Sequence, residues 1–409
     1  MFLSISAAKQ HTIRHYDVDT AFLNAELKEE MYINIPPGAH KPTPTSVWKL
    51  HKALYGLKQA NRAWKDDLTN TLISAGYRPT TAEPCLYIHT TGQSMACHHV
   101  DDILSSASST ASHDFLLQTL SLQYSIKDLG TINKFVGLQI DIVSPQTITI
   151  SQADYISKSL EQFCLSKANS SPVPISKTDD TLTTDSKLFH GPFKEAVGTL
   201  IYAMTATRPD IALATSRACS RMATPTTANW TSVKKIFKYL KGTQHLKLTL
   251  SGSNLELTAY CDADWGSDIS DRKSTSGFLV FLGQSLISWV SKKQITVAMS
   301  TMEAEFLALS TCIQEVLYLR TLLSELLIPQ TNPTLIYQDN QACIVLANTG
   351  HATNRSKHID LRSHFVSDQI SNGNIQLIHV PTKDMLADPL TKPVAAITIR
   401  SFCENINLR

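Results

Sequence analysis

The strongest constraint on the fold comes from the last third of the sequence, where apolar spacing changes repeatedly between strand-like and helix-like. Alternating residues predict a strand at 255–262, and two further strands, 276–282 and 285–290, flank a hairpin turn at Gly283-Gln284. A long segment with helical spacing, 301–327, follows. Elements mixed in this way bury their apolar faces in a layered α/β (α+β) arrangement.

The pattern continues with a strand at 334–337, a helix at 341–348 and a last strand at 375–379, before the segment 384–392. Three strands, helix, strand, helix, strand, helix is the element order of the ribonuclease H fold. We therefore expect residues 255–395 to form a ribonuclease H-like domain, with a mixed five-stranded sheet flanked by helices.

Carboxylates end or follow several of these elements, and convergent carboxylates can hold two divalent cations for phosphodiester hydrolysis. The candidates are Asp262, Glu305, Asp339 and Asp388. Asp264 competes with Asp262 because both share a strand face, and Asp339 could be only a helix N-cap. Glu303 fits a capping box and would turn back on its own helix start, which favours Glu305. Asp384 is the alternative to Asp388.

A second acidic pair, Asp101-Asp102, lies in the first third of the chain. It follows the alternating segment 94–100 and precedes two apolar residues, which predicts two short strands joined by a tight turn. Adjacent like charges repel unless a cation binds between them, and carboxylate oxygens suit Mg²⁺. A solvated turn is the alternative. An earlier strand-like segment, 12–22, carries another carboxylate, Asp17.

Four motifs around these residues resemble the palm of a reverse transcriptase from a copia-like retrotransposon polyprotein. The motifs are Tyr16–Asn24, Leu54–Ala60 with Trp64, Val100–Asp102, and Lys127–Gly130 with Phe135–Ile140. Further on, 206–211 and 239–242 resemble the family's segment between polymerase and nuclease. The resemblance covers nearly the whole chain.

A chain of 409 residues has room for two or three domains. The resemblance implies a reverse transcriptase palm at 1–150, a helical thumb and connection at 151–250, and then the ribonuclease H-like domain. A Ser/Thr/Pro/Asp-rich stretch predicts a flexible linker at 166–186. The chain begins at the first palm motif, so we expect a polymerase truncated at its N-terminus, without the fingers segment whose basic residues would hold a triphosphate.

The resemblance implies roles for five palm residues. Asp17 and Asp101 would bridge two Mg²⁺ ions, with Asp102 as an accessory ligand and Mn²⁺ as an alternative metal. Phe22 matches the bulky residue that excludes a 2′-hydroxyl, and Gln59 matches a position that touches the incoming nucleotide. A core phenylalanine and an exposed polar residue are the alternatives.

Three residues depart from the family pattern of the palm. His99 stands where tyrosine is usual, Asn61 where proline is usual, and Asp19 where a basic residue is common. These departures bear on the polymerase, whereas the nuclease region is the better preserved part.

In that region the resemblance favours Asp262 in Tyr-x-Asp-Ala, Glu305 before an apolar run, and Asp388 in Leu-Ala-Asp-Pro-Leu-Thr-Lys. It implies that they and Asp339 hold two Mg²⁺ ions. The stretch Lys357–Arg362 with His364 also looks like the family, and we expect a hydrogen-bonded helix start and substrate-side surface there.

The net charge is only +2, so nucleic-acid binding must rest on local basic patches. Lys234, Lys238 and Lys241 recur at helical spacing and could track a phosphate backbone, although a solvated helix face would look the same. Arg272 and Lys273, beside the predicted hairpin, could hold the phosphates of a hybrid duplex.

The eight cysteines include no CxxC pair, which favours a reducing, intracellular setting. The resemblance implies a cytoplasmic virus-like particle, the nucleus, or both. No apolar run approaches the length of a membrane span, so we expect no membrane partner.

The implied activities are RNA-directed DNA synthesis and cleavage of RNA in RNA–DNA hybrids. The implied partners are an RNA template, a DNA primer, deoxynucleoside triphosphates, the hybrid and other retroelement polyprotein segments. Two alternatives remain: a nuclease with an inert palm, and a non-catalytic relic that binds nucleic acid by charge.

Overall fold

The computed structural model describes residues 1–177, 187–350 and 360–409. The predicted linker residues 178–186 and the motif residues 357–359 lie outside the described residues. The strands are β1 Thr12–Val18, β2 Glu26–Asn34, β3 Val47–Lys52, β4 Tyr77–Pro79, β5 Leu86–His89, β6 Ser94–His99, β7 Asp102–Ala107, β8 Ile126–Thr131, β9 Lys134–Phe135, β10 Leu138–Ser144, β11 Thr147–Ser151, β12 Leu248–Ser251, β13 Leu257–Ala263, β14 Thr275–Leu282, β15 Ser285–Lys293, β16 Thr334–Gln338 and β17 Ile375–His379.

The α-helices of the described residues follow the same chain order. They are α1 Phe2–Ala8, α2 Ala21–Asn24, α3 Ala60–Ser74, α4 Thr110–Ser121, α5 Ala153–Gln162, α6 Phe193–Ala206, α7 Ala212–Cys219, α8 Thr227–Gly242, α9 Thr301–Glu325, α10 Gln341–Thr349, α11 Asp360–Ser371, α12 Asp388–Thr391 and α13 Ala396–Asn405.

The N-terminal part is built on a six-stranded antiparallel sheet in the order β4-β5-β6-β7-β1-β8. The hairpin β6–β7 matches the predicted pair of short strands around the acidic turn. Helices α3 and α4 bury Trp64, Leu68 and Leu116 in one core with Tyr16 of β1. This arrangement is the palm expected from the sequence.

A second sheet links segments that are far apart in the sequence. Its order is β12-β11-β10-β9, and β12 pairs with β11 from Thr147↔Ser251 to Ile150↔Leu248. The end of the predicted connection therefore adds a strand to the end of the predicted palm. The domain boundaries near 150 and 250 stay predictions.

The helical region α5–α8 packs together with the C-terminal helix α13, whose return to this region the sequence did not predict. A buried ion pair lies at its centre. Arg208 Nη2 is 2.7 Å from Asp210 Oδ2, and Tyr239 donates to the same oxygen at 2.8 Å. The described part of the predicted linker packs on α8, where Lys241 Nζ donates to the carbonyl of Ala168 at 2.7 Å.

The C-terminal sheet has the expected five strands, in the order β15-β14-β13-β16-β17. The first three are antiparallel neighbours, whereas β13, β16 and β17 run parallel, so the sheet is mixed. Two helices, α10 and α11, lie between β16 and β17, one more than the expected element order contains, and α11 begins at Asp360, within the stretch where a helix start was expected. The ribonuclease H-like fold is thus present, with an additional helix.

Helix α9 is the core helix of this sheet. It is long and apolar enough, by length and composition alone, to cross a membrane, so the expectation that no apolar run approaches that length was wrong. Most of that stretch is buried within the protein, as is usual for a core helix. Phe306, Leu309 and Ile313 are among its fully buried residues.

The far end of α9 contacts the palm. The Glu325 carboxylate accepts hydrogen bonds from the backbone N–H groups of Thr81 at 2.9 Å and Ala82 at 3.2 Å. Arg78 Nη2 donates to the Glu325 carbonyl at 3.1 Å. Ile88 of the palm also shares one apolar core with the nuclease sheet. The palm and the nuclease region are therefore in direct contact, through the end of α9 and this shared apolar core.

Candidate metal centres

Three carboxylates of the nuclease sheet meet at one point. One ligand oxygen each from Asp262, Glu305 and Asp339 lies within 4.8 Å of the other two. Asp262 is near the end of β13 and Asp339 follows β16, and these neighbouring strands are parallel, so their carboxyl ends lie at the same sheet edge. Glu305 reaches this edge from the start of α9.

This cluster is electrostatically costly without a cation. Burial, followed by the charges of Asp262 and Asp339, raises the pKa of Glu305 to about 9. Burial also raises the pKa of Asp262, although Lys392 and Thr391 oppose the shift. Like charges in a dry site cannot all ionise unless a positive charge compensates them. The donor set, hard oxygens held close together, fits a divalent cation such as Mg²⁺.

The structure separates the rival acidic residues. Asp264 is buried and lies outside this group, and its Oδ1 accepts a hydrogen bond from the backbone N–H of Thr275. Glu303 turns back on its helix start as predicted, accepting from the N–H of Met299 at 2.7 Å. Neither residue is part of the three-carboxylate group, which contains the preferred Asp262 and Glu305.

Asp339 is not the N-cap of α10. That position is taken by Asn340, whose side chain accepts from the N–H of Cys343 at 3.0 Å. Gln338, fully buried at the end of β16, accepts from the N–H of Asp339 at 2.8 Å and donates to Glu305 Oε2 at 3.4 Å. Sequence reasoning missed Gln338, although its place directly before the acidic residue was a signal.

Asp388 lies at the edge of the cluster, at the start of α12. Lys392 Nζ is 2.8 Å from Asp388 Oδ1 and 4.0 Å from Asp262 Oδ2. Burial raises the pKa of Asp388 to about 6, against the opposing effect of Lys392. Thr391 donates from Oγ1 to Asp262 Oδ2. The alternative, Asp384, is exposed in the preceding 3₁₀ turn.

The palm carboxylates are neighbours through strand register. Asp17 of β1 lies opposite Asp102 of β7, and the N–H of Val18 donates to the Asp101 carbonyl at 2.9 Å. The turn between β6 and β7 places Val100 at φ 59°, a left-handed conformation that is strained for a β-branched residue.

A buried tryptophan holds this strained turn. Trp64 of α3 is 1% exposed, and its Nε1 donates to the Val100 carbonyl at 2.6 Å. The side chains of the acidic residues are nevertheless not gathered like those of the nuclease. His15 Nε2 and Asp102 Oδ1 form a 2.6 Å hydrogen bond. Among the described residues, no group of three close ligand atoms includes a palm carboxylate.

The two predicted nucleotide contacts are Phe22, in α2, and Gln59, directly before α3. Phe22 is largely buried, and its ring centroid is 4.5 Å from that of Tyr55. Burial, then the charges of Asp101 and Asp17, raises the pKa of Tyr55, so its hydroxyl lies within range of those charges. Gln59 is the residue before α3 and lines a separate surface cavity.

The family departures all lie on accessible parts of the palm. His99 and Asn61 are exposed. Asp19 forms an ion pair with Lys127, whose Nζ is 2.5 Å from Asp19 Oδ1. The acidic residue at this position is therefore matched by a base on β8.

The predicted basic residues differ in how available they are. The three predicted lysines of α8 are half-buried: Lys234, Lys238 and Lys241. Lys241 also donates a hydrogen bond to the carbonyl of Ala168. Arg272 is exposed beside the half-buried Lys273 in the loop between β13 and β14. Their roles in nucleic-acid binding stay predictions.

The sequence of the chain is similar to those of known proteins. Residues 1–177 match the family described as Reverse transcriptase (RNA-dependent DNA polymerase). The chain is 35% identical over 412 residues to the retrovirus-related Pol polyprotein from transposon RE2 of Arabidopsis thaliana, and the match covers 99% of this chain but 28% of that polyprotein. It is 34% identical over 301 residues to the putative transposon Ty5-1 protein of Saccharomyces cerevisiae, covering 72% of this chain and 98% of that protein.

Among solved structures, the chain is similar to LC11-RNase H1, isolated from compost by a metagenomic approach. The TM-score is 0.27 and the sequence identity is 13%, over 34% of this chain and 93% of that one.

Proposed function

This chain belongs to the Pol polyproteins of copia-type retrotransposons, and from that premise we propose that its C-terminal sheet is a ribonuclease H that cleaves the RNA strand of RNA–DNA hybrids with Mg²⁺. The observation that carries the proposal is the meeting of Asp262, Glu305 and Asp339 within 4.8 Å at one sheet edge.

The residues at this sheet edge would have two roles, to bind metal and to orient the metal ligands. Asp262, Glu305, Asp339 and Asp388 would hold two divalent ions, which when bound activate a water and stabilise the leaving 3′-oxygen. Gln338 orients Glu305 through its amide, and Thr391 orients Asp262 through its hydroxyl. Because Asp262 and Glu305 are almost fully buried, bulk water is excluded from that side of the cluster and electrostatic interactions there are strong.

The nuclease proposal is tested by comparing Glu305→Gln with Glu315→Gln, a change of the same kind further along α9. A 5′-labelled RNA annealed to DNA is incubated with each full-length protein and Mg²⁺. We expect cleavage by the wild type and Glu315→Gln, and a loss of about 10²-fold or more in Glu305→Gln, since metal positioning contributes several kcal/mol to the rate. Equal cleavage by all three proteins would remove the assignment.

We also propose RNA-directed DNA synthesis in the palm, with Asp17, Asp101 and Asp102 as ligands of Mg²⁺ or Mn²⁺. The cross-strand register of Asp17 with Asp102 and the tightly held turn support it. An RNA template, a DNA primer and deoxynucleoside triphosphates would be its substrates. Tyr55 and Phe22, packed together beside the carboxylates, would form the floor for the incoming sugar.

A second candidate, a nuclease with an inert palm, is favoured by the hydrogen bond that occupies Asp102 with His15. Primer extension on an RNA template decides between the two. Extension by the wild type that Asp101→Asn abolishes supports the polymerase, whereas hybrid cleavage without extension supports the inert palm. If a folded protein shows neither activity, the relic that binds nucleic acid by charge is the remaining function.

The chain spans 28% of the length of the RE2 polyprotein, so assembly with other polyprotein segments is part of the proposal. We place the protein inside the cell, in a cytoplasmic particle, the nucleus or both. The eight cysteines, all free thiols in the structure, support a reducing setting. Cell fractionation with an antibody to the chain would test this location.

A further inference from the structure

We propose that Lys392 is a tethered counter-ion of the nuclease site, occupying a cation position between Asp262 and Asp388 and moving aside when a second divalent ion binds. This inference rests on the proposed metal-dependent nuclease. It assigns to Lys392 a positioning role toward the metal, through the two carboxylates that it bridges.

The geometry is that of a cation shared by two acids. Lys392 Nζ lies 2.8 Å from Asp388 Oδ1 and 4.0 Å from Asp262 Oδ2. The side chain of Asp262 is 2% exposed, whereas that of Lys392 is 40% exposed. The carboxylate is thus fixed in a dry site, while the four-carbon lysine stem has an open path to solvent.

The backbone that carries Lys392 is clamped against the sheet. Ser291 Oγ of β15 donates to the Leu390 carbonyl at 2.6 Å, and Thr391 donates to Asp262. Gly277 of β14, opposite Asp262 in the register, leaves the space that this segment fills, since a Cβ there would lie 2.8 Å from Leu390 Cβ. The position of the lysine is therefore fixed by the fold, and only its side chain is free to move.

A lysine in this position has two consequences. Without metal, the ammonium offsets the charge of acids that would otherwise repel one another. With metal, an ammonium and a divalent cation held by the same carboxylates in a site of low polarity would repel strongly, so Lys392 would leave its position beside Asp262 and Asp388. Binding of the second ion must displace Lys392, which raises the metal concentration that the site needs.

The test measures metal binding by the full chain, without nucleic acid. Wild type, Lys392→Met and Lys383→Met are stripped with EDTA, dialysed and titrated with Mg²⁺ by isothermal titration calorimetry. Lys383 is exposed nine residues earlier in the same segment, so its variant loses the same charge away from the carboxylates. We expect Lys392→Met to bind the weaker ion at least about fivefold more tightly than the other two proteins, because no ammonium competes.

A second measurement separates competition from a folding defect. In EDTA, the melting temperature of Lys392→Met should fall below that of the wild type, and saturating Mg²⁺ should remove the difference. Lys392→Arg, which keeps the charge, should retain the wild-type metal affinity.

Three results would overturn the inference. Unchanged or weaker Mg²⁺ binding by Lys392→Met removes the competition, and an equal gain in Lys383→Met reduces it to a general charge effect. In both cases the metal site itself survives, because the wild type still binds. If wild type and Glu305→Gln alike give no binding heat, the metal-dependent nuclease fails together with this inference.

Discussion

Replacing Glu305 with glutamine is expected to make the metal-free protein less sensitive to alkaline pH. Glu305 is 6% exposed and faces Asp262 and Asp339, and its pKa is raised from an ordinary value of 4.5 to about 9. Glutamine has nearly the same shape but carries no titrating proton. The substitution therefore isolates the contribution of this one group to stability.

The sign follows from proton counting. Between pH 4.5 and about 9 the folded protein holds a proton on Glu305 that the unfolded chain has lost. Stability is therefore full below pH 4.5 and decreases as pH rises, by about 1.4 kcal/mol per pH unit for one proton. From pH 6 to pH 8 the free energy of unfolding should fall by roughly 3 kcal/mol more in the wild type than in Glu305→Gln.

Scanning calorimetry in EDTA at several pH values measures this difference. For a cooperative unit of 150–250 residues, roughly 3 kcal/mol corresponds to a change of about 6–12 °C in the gap between the two melting temperatures. Glu315→Gln, on the same helix, should follow the wild type. Saturating Mg²⁺ should restore the wild type at pH 8 and leave Glu305→Gln unchanged. Parallel melting curves for wild type and Glu305→Gln across this range would refute the reasoning.

Three further substitutions test other parts of the structure. Gly277→Ala places a methyl group 2.8 Å from Leu390 Cβ, so we expect the free energy of unfolding to fall by about 1–3 kcal/mol. Hybrid cleavage should be at least about tenfold slower, and unaltered cleavage would contradict the close approach. Arg208→Met leaves Asp210 buried without its partner, and urea unfolding should show a loss of about 3–5 kcal/mol; a loss under about 1 kcal/mol would be inconsistent with that pairing. Val100→Gly removes the strain of the φ of 59°. After subtraction of the entropy cost of glycine, we expect the protein to be more stable by up to about 1 kcal/mol, seen as a higher melting temperature. A lower melting temperature would show that the turn is unstrained.

Local periodicity was sufficient for the nuclease elements. The last strand has its predicted limits, Ile375–His379, and α9 ends two residues before its predicted end. Hydrophobic spacing indicates which face of a segment is buried. In this domain each strand and helix buries at least one face against its neighbours, so the spacing predicts the elements. The meeting of Asp262 with Asp339 could be expected from the element order, because each lies at the end of a strand and the order determines which strand ends are adjacent.

Contacts that depend on distant partners could not be predicted in this way. The pairing of β12 with β11 and the return of α13 join segments whose sequences carry no sign of their partners. The hydrogen bond between His15 and Asp102 depends on the register of β1 against β7. Predicting it would require that register to within one residue, because a shift of one residue turns every side chain to the other face of the sheet. The Lys392–Asp388 pair joins residues four apart in the sequence, but α12 ends at Thr391 and Lys392 has extended backbone, so helical spacing did not predict the pair.

Helix α9 carries Glu305 near its start and ends at Glu325, which accepts hydrogen bonds from the palm. At about 1.5 Å per residue, these two points are roughly 30 Å apart along one continuous rod. If both proposed activities act on one duplex, this rigid connection would keep the nuclease region at a constant distance from the palm as the duplex advances.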